Sequence, residues 1–311
     1  MINNNMRHYT RFRAYQLSSA GSSMSISVEN HFTLIEARYN DDNKKHILWE
    51  LNLLDKTNID VLHITSWDED HCNANELRSI LNELKPQLIE YPDYSPHTDS
   101  GKRSLMLIKT YCNMTGSSIR PVSPVIVSDD IKCAERLKGK DVLLNPIEVS
   151  DSSNDNSVIK FFRRGSFQIL STGDCESGDI SERIQNNEIV NCEVDVLVLP
   201  HHGSEHSILT PEFLKALNPK VCICTVDYKN KFGHPDKKVV TWIDKDGIPY
   251  ISTKTGDVII QTVDNRNFKV SNYVSNNETL ESVRNLPIKR ITPMIHINLI
   301  LLLCQTHSQN F

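Results

Sequence analysis

The chain has 311 residues, of which 39% are hydrophobic and 23% charged, and a formal net charge of −5. That length can bury one large α/β core or two small ones. The mild acidity excludes a general polyanion binder, although bound cations and local basic patches can still reverse the field inside a cleft. Eight cysteines without framework spacing read as buried thiols in a reducing compartment rather than as disulfides or a zinc knuckle. Arg7, His8, Arg11 and Arg13 are not followed by an apolar stretch, so no secretory leader is expected. The apolar run 297–304 is too short to span a bilayer. The expectation is a cytoplasmic protein without membrane contact.

Alternating apolar residues predict strands over 24–28 and 32–37, joined by a polar turn, with a second turn at 41–45. Residues 46–54 fit a strand end or a short helix. A compact strand over 61–65 delivers the chain into Ser66-Trp67-Asp68-Glu69-Asp70-His71. Leu77, Ile80, Leu81 and Leu84 form one stripe of a helix that Pro86 ends. The stretch 92–103 reads as a surface loop, 105–111 as helix or strand, 121–127 as a strand and 131–138 as a short helix. After the solvated loop 150–157 come strands over 158–162 and 167–171, then a helix over 180–186 and a strand over 194–199. Thr210 as a cap and Pro211 at the first position open a helix to Leu217. A strand over 221–226, a helix over 239–243 and strands over 249–252 and 258–262 follow. The polar stretch 265–277 closes a domain spanning 1–277, leaving 278–311 as a C-terminal appendage.

Four clusters carry chemistry, and each follows an apolar run that reads as a buried strand. They are Asp68, Asp70 and His71; Thr172-Gly173-Asp174; His201-His202-Gly203-Ser204; and Gly233-His234-Pro235. Taken singly, each acidic or histidine residue could be a solvated turn residue. Four such clusters would need four independent explanations of that kind. Aspartate and histidine gathered from several strand ends are what a dinuclear metal centre requires. Carboxylates and imidazoles without thiolates suit Zn²⁺, Mn²⁺ or Fe. A carboxylate bridging two ions about 3.5–4 Å apart would activate water and offset charge on a transferred centre.

In order and spacing over roughly residues 14 to 264, these segments resemble the metallo-β-lactamase fold, and in particular the soluble domain of bacterial DNA-uptake channel proteins of the ComEC type. The likeness is carried by Asn156 and Ser157, by Thr172-Gly173-Asp174, by His201-His202-Gly203-Ser204 with Ser207, and by Asn230, Gly233, His234 and Pro235. It implies an α/β fold, an αββα sandwich of two mixed sheets flanked by helices. The family's first motif is His-x-Asp-x-Asp-His, whose leading histidine is Ser66 here. Its Ile-Asp-x-Gly is replaced by Ile35-Glu36-Ala37-Arg38. Within three residues of Ser66, His63 is the one imidazole that could compensate, or else a packed strand residue.

By this resemblance Asp70, His71, Asp174 and His234 form the better-preserved ion site, and Asp68 with His201 or His202 a weakened one, for one or two ions of Zn or Mn. The implied activity is that of a phosphodiesterase or nuclease acting on DNA by metal-activated water, with Asp70, His201 and His202 catalytic. Ser204, Ser207, Asn230 and Lys231 are candidates for substrate contact, and Lys160, Arg163, Arg164, Lys229, Lys231, Lys237 and Lys238 for phosphate contact. Two alternatives stand beside it: a hydrolase of a small ester or amide, and a catalytically impaired relative acting as a binding protein. A partner protein in a multi-component system, for instance in bacterial defence, fits either.

Overall fold

A computed structural model of the chain describes residues 9–134, 139–274 and 279–289. Strand β1 is Thr10–Ala14, β2 Met24–Val28 and β3 His31–Ile35, followed by helix α1, Lys44–Asn52, and β4, Val61–His63. Next come α2 Ala74–Glu83, β5 Leu88–Pro92, α3 Asp99–Thr115, β6 Ser118–Val122, α4 Pro124–Ala134 and β7 Val142–Asn145. The second half runs β8 Ile159–Phe162, β9 Ile169–Ser171, α5 Gly178–Gln185, α6 Glu188–Glu193, β10 Val196–Val198, α7 Pro211–Leu217 and β11 Val221–Cys224. It closes with α8 Lys237–Lys245, β12 Tyr250–Ser252, β13 Asp257–Thr262, β14 Asn267–Val274 and β15 Thr279–Pro287.

Among the described residues the strands form two mixed sheets. One runs β15-β14-β13-β1-β2-β3-β4-β5-β6 and the other β12-β11-β10-β9-β8-β7. The first is antiparallel from β15 to β3 and parallel from β3 to β6. The second is parallel from β12 to β9 and antiparallel from β9 to β7. Period-2 alternation sorts the side chains into layers. Val196, Val198, Val221 and Ile223 face Phe12, Ile26 and Ile35 between the sheets. Leu197, Leu199, Cys222 and Cys224 turn outward onto Ile180, Phe213, Val239 and Ile243 of the helices. On the far side Leu34, Leu62 and Ile89 pack under Ile47, Leu77, Ile80 and Ile108. The result is the expected αββα sandwich.

Several local expectations are corrected. The strand expected over 121–127 is the end of β6 followed by α4. Proline suits the first turn of a helix, and the Ser123 Oγ accepts from the Ile126 N–H at 3.4 Å. The loop expected over 92–103 contains the start of α3, where Thr98 Oγ1 caps the Gly101 N–H. Residues 46–54 are helical, within α1 and the turn after it. The strand expected to 37 stops at Ile35, because Glu36 takes φ 69° and turns the chain. Strands β1 and β5 and helix α6 had no counterpart in the sequence reading.

Beyond the boundary expected at 277, β15 pairs antiparallel with β14. Ile288 is buried between the sheets, and the Lys289 N–H donates to Asp195 Oδ1 at 2.6 Å. Residues 279–289 therefore belong to the sandwich, and 290–311 lie outside the described residues. No described helix is long and apolar enough to cross a membrane. The described cysteines are free thiols, mostly buried.

Candidate metal centre

The loop after β4 turns sharply, with the His71 and Cys72 N–H groups both donating to the Asp68 carbonyl. This turn buries His71 and leaves Asp70 partly exposed. From the other sheet, the turn after β9 brings Asp174 beside it. Gly173 takes φ 53° there, and a Cβ would meet Ser157 Cβ at 2.8 Å, so only glycine fits without displacement. Ser157 Oγ accepts from the Asp174 N–H at 3.3 Å and fixes its approach.

The chain then leaves β10 through a tight turn in which His201 and His202 both have positive φ, 44° and 56°. Consecutive non-glycine residues in that region are strained, and such strain concentrates at functional sites. Its effect is to splay the two imidazoles. His202 Nδ1–H donates to the Thr225 carbonyl at 2.6 Å, which leaves Nε2 turned toward the carboxylates. His201 points elsewhere.

Asp70, His71, Asp174 and His202 each offer one ligand atom, all within 4.8 Å of one another. His71 Nε2 lies 2.9 Å from Asp174 Oδ2 and 4.0 Å from Asp70 Oδ1. His202 Nε2 lies 3.6 Å from Asp70 Oδ2 and 3.9 Å from Asp174 Oδ2. Donors about 2.0–2.1 Å from a tetrahedral ion stand roughly 3.3 Å apart, so these separations bracket the spacing an ion needs.

The chemistry of His71 tests the fit. Its Nδ1 faces Glu36 Oε1 at 3.1 Å and Thr65 Oγ1 at 3.3 Å. Thr65 in turn donates to Glu36 through both its hydroxyl and its N–H. A proton on Nδ1 leaves the Nε2 lone pair facing a carboxylate, buried and without a hydrogen bond. A cation between them resolves that repulsion, and a carboxylate behind the ring is the usual support for a ligating histidine. Burial alone would lower the His71 pKa, but Asp174, Glu36 and Asp70 raise it well above the ordinary value. Burial would likewise raise Asp70, yet His71 and His202 hold it far below the usual carboxylate range.

The expected site is thus rearranged. His202, not His234, completes the set with Asp70, His71 and Asp174. His234 is held by Asn230, whose side chain accepts from the His234 N–H and donates to its carbonyl. Its ring lies 6.1 Å from that of His201 and stacks on Phe232. Asp68 stands outside the cluster, its Oδ2 accepting from Ser66 Oγ at 3.1 Å, while Ser66 also approaches the Tyr94 hydroxyl. His63 does not compensate for Ser66. It is fully buried, with Nδ1 on Glu90 at 3.0 Å. Trp67 is packed on Tyr91 with its indole N–H on the Tyr94 carbonyl.

A cavity of about 140 Å³ opens above the cluster, lined by Gly21, Asp70, His201, His202, Asn230 and His234 among others. Ser204 and Ser207 do not line it: Ser204 is buried beneath the turn and Ser207 is exposed beyond it. Lys160 and Arg163 are lost as phosphate contacts, being buried in ion pairs with Glu90 and Glu193. Lys229, Lys231, Lys237 and Lys238 remain exposed, Lys238 paired with Glu205. Glu36, Glu176 and His206 were missed by the sequence reading. The last two stand within five residues of the motifs, a signal available in the sequence.

No family model matches the sequence. Over 146 residues it is 30% identical to ComE operon protein 3 of Bacillus subtilis, a stretch that makes up 45% of this chain and 18% of that relative. YhfI of Bacillus subtilis, a metallo-beta-lactamase fold protein, superposes on 82% of this chain and 100% of its own, with a TM-score of 0.51 and 10% identity. The chain has the metallo-β-lactamase fold. A variant of the CmlA beta-hydroxylase matches as well, at a TM-score of 0.51 and 11% identity over 84% of this chain and 55% of its own. A protein named as a hydroxylase thus shares this overall fold, and likeness of fold alone does not select the reaction.

Proposed function

We propose that the chain is a metal-dependent hydrolase acting on phosphodiester bonds of DNA. The observation that carries the metal-dependent part is the convergence of Asp70, His71, Asp174 and His202, with the His71 Nε2 lone pair turned on Asp174. A divalent cation held there would supply a Lewis acid and lower the pKa of a water. Asp70 is the carboxylate of the set that lines the cavity, so it would orient the attacking water there by accepting a hydrogen bond. Asn230 fixes the His234 backbone, and His234 lines the cavity that a phosphoryl group would enter.

The DNA part is supported by the loop after β11. Tyr228 and Phe232 are 63% and 64% exposed and flank the exposed Lys229 and Lys231 in the chain, and Phe232 lines the cavity. Aromatic faces that stack on bases, interleaved with cations for phosphates, suit a single strand. The resemblance to DNA-uptake proteins of the ComEC type points the same way. The test is incubation of the full chain with labelled single- and double-stranded DNA and Mn²⁺. Cleavage is expected, and Asp174→Asn should lower it at least about 10³-fold. Hydrolysis of small esters with intact DNA would move the reading to an ester or amide hydrolase. No hydrolysis of either would leave a binding protein, the reading that the Ser66–Asp68 bond favours because it closes one limb of the expected centre.

A further inference from the structure

The splayed His201–His202 turn serves two clusters, and only one belongs to the centre above. His201 Nδ1 lies 2.7 Å from Glu176 Oε1, and His206 Nε2 lies 3.2 Å from the same oxygen. The three ligand atoms fall within 4.8 Å of one another. The two imidazoles stack face to face, 5.0 Å between centroids and 2° between planes, so both rings turn a nitrogen edge to one carboxylate. His201 Nδ1 is buried and makes no hydrogen bond despite its closeness to Glu176. From these contacts we propose that Glu176, His201 and His206 form a second cation site for a zinc-class divalent ion, separate from the Asp70–His71–Asp174–His202 cluster.

The donor set is two imidazoles and one carboxylate, a combination that zinc accepts. The 3.2 Å separation matches the roughly 3.3 Å expected between donors of a tetrahedral ion, and the 2.7 Å one must lengthen to admit it. Each donor is anchored by its own neighbours. Asn154 Nδ2 donates to Glu176 Oε1 at 2.9 Å, and Asp155 Oδ1 accepts from the Glu176 N–H. The Ile208 N–H donates to the Glu176 carbonyl, closing the His206 loop over it. The His201 N–H donates to the Gly173 carbonyl, one residue before Asp174. His201 also lines the cavity beside the first cluster, while Glu176 and His206 lie outside its lining. With Ser66 and Asp68 bonded to each other, the second cation is held by the far side of the His201–His202 turn instead.

The site is independent of the hydrolase reading, and its test reads stoichiometry rather than activity. The metal-stripped full chain is titrated with Co²⁺, following visible absorption, and bound metal is counted by elemental analysis after gel filtration. Two equivalents are expected for the wild type. His206→Gln and Glu176→Gln, both at half-exposed positions, should each hold one. Asp174→Asn should also hold one, and Asp174→Asn combined with His206→Gln none. Unchanged stoichiometry in both His206→Gln and Glu176→Gln would overturn the proposal. So would a wild type that binds a single equivalent removed entirely by Asp174→Asn, or one that binds none.

Discussion

Gly21 shows how one residue can shape the centre without touching a ligand atom. It sits at φ 135°, and a Cβ there would lie 2.4 Å from the Asp70 carbonyl and 2.0 Å from the Arg38 guanidinium. Arg38 donates to the Ala20 and Asp70 carbonyls and pairs with Glu76, fastening the first-motif loop to the 18–21 turn. Gly21→Ala should therefore displace Asp70 and weaken metal binding about 10–100-fold in a competition titration. Glu36→Gln removes the charge behind His71 and should weaken binding over the same range of about 10–100-fold. Proton competition gives a third expectation. Because Asp174, Glu36 and Asp70 raise the His71 pKa, a cation must displace a proton there even above the ordinary histidine value of about 6.5. Apparent affinity should thus keep rising with pH through and beyond neutrality. A flat profile between pH 6 and 8.5 would show that His71 is not a ligand.

At the level of elements, buried charges tie strands that the apolar core alone would leave free to slide. Glu90 on β5 receives Lys160 from β8 of the other sheet, His63 from β4 and Arg120 from β6. On the outer face, Asp257 of β13 holds Arg13 of β1 and His46 of α1. Burial would raise both carboxyl pKa values. Lys160 and His63 bring Glu90 well below the ordinary value, and His46 and Arg13 lower Asp257. Folded pKa values depressed in this way contribute stability above the unfolded value of about 4, lost as pH falls through the folded values. The melting temperature should accordingly hold between pH 5 and 7 and fall steeply below about pH 4. Lys160→Met strands Glu90 with fewer cations and should cost about 3–5 kcal/mol in chemical denaturation.

For the whole molecule, the strand after residue 278 decides how the sandwich closes. β15 completes the edge of the large sheet, and Lys289 reaches the other half of the fold through Asp195 and the Leu217 carbonyl. A chain ended after residue 277 loses that strand, the buried Ile288 and both bonds. Its melting temperature should drop by roughly 5 °C, corresponding to about 3 kcal/mol at this size. An unchanged melting curve would mean that β15 rests on the sandwich without holding it.

The sequence by itself determined the ingredients. Compact apolar runs ending in Asp70-His71, Gly173-Asp174 and His201-His202 were legible as strand ends bearing ligand-type residues, because period-2 burial and turn chemistry are local properties. The layered α/β architecture was implied by the resemblance that those motifs carry to the metallo-β-lactamase fold. What only the tertiary structure decided was convergence. Two adjacent histidines look equivalent in a chain, and the turn that sends His202 to Asp174 and His201 to Glu176 is held by the His201 N–H on the Gly173 carbonyl and by His202 on the Thr225 carbonyl, partners distant in sequence. Glu36 became a support for His71 in the same way, since 35 residues of chain separate groups that the parallel pairing of β3 and β4 brings within 3.1 Å. Strands β1 and β5 escaped notice for a related reason. Their exposed-looking arginines and glutamate are buried by partners distant in sequence, and pairing of that kind leaves no periodic trace.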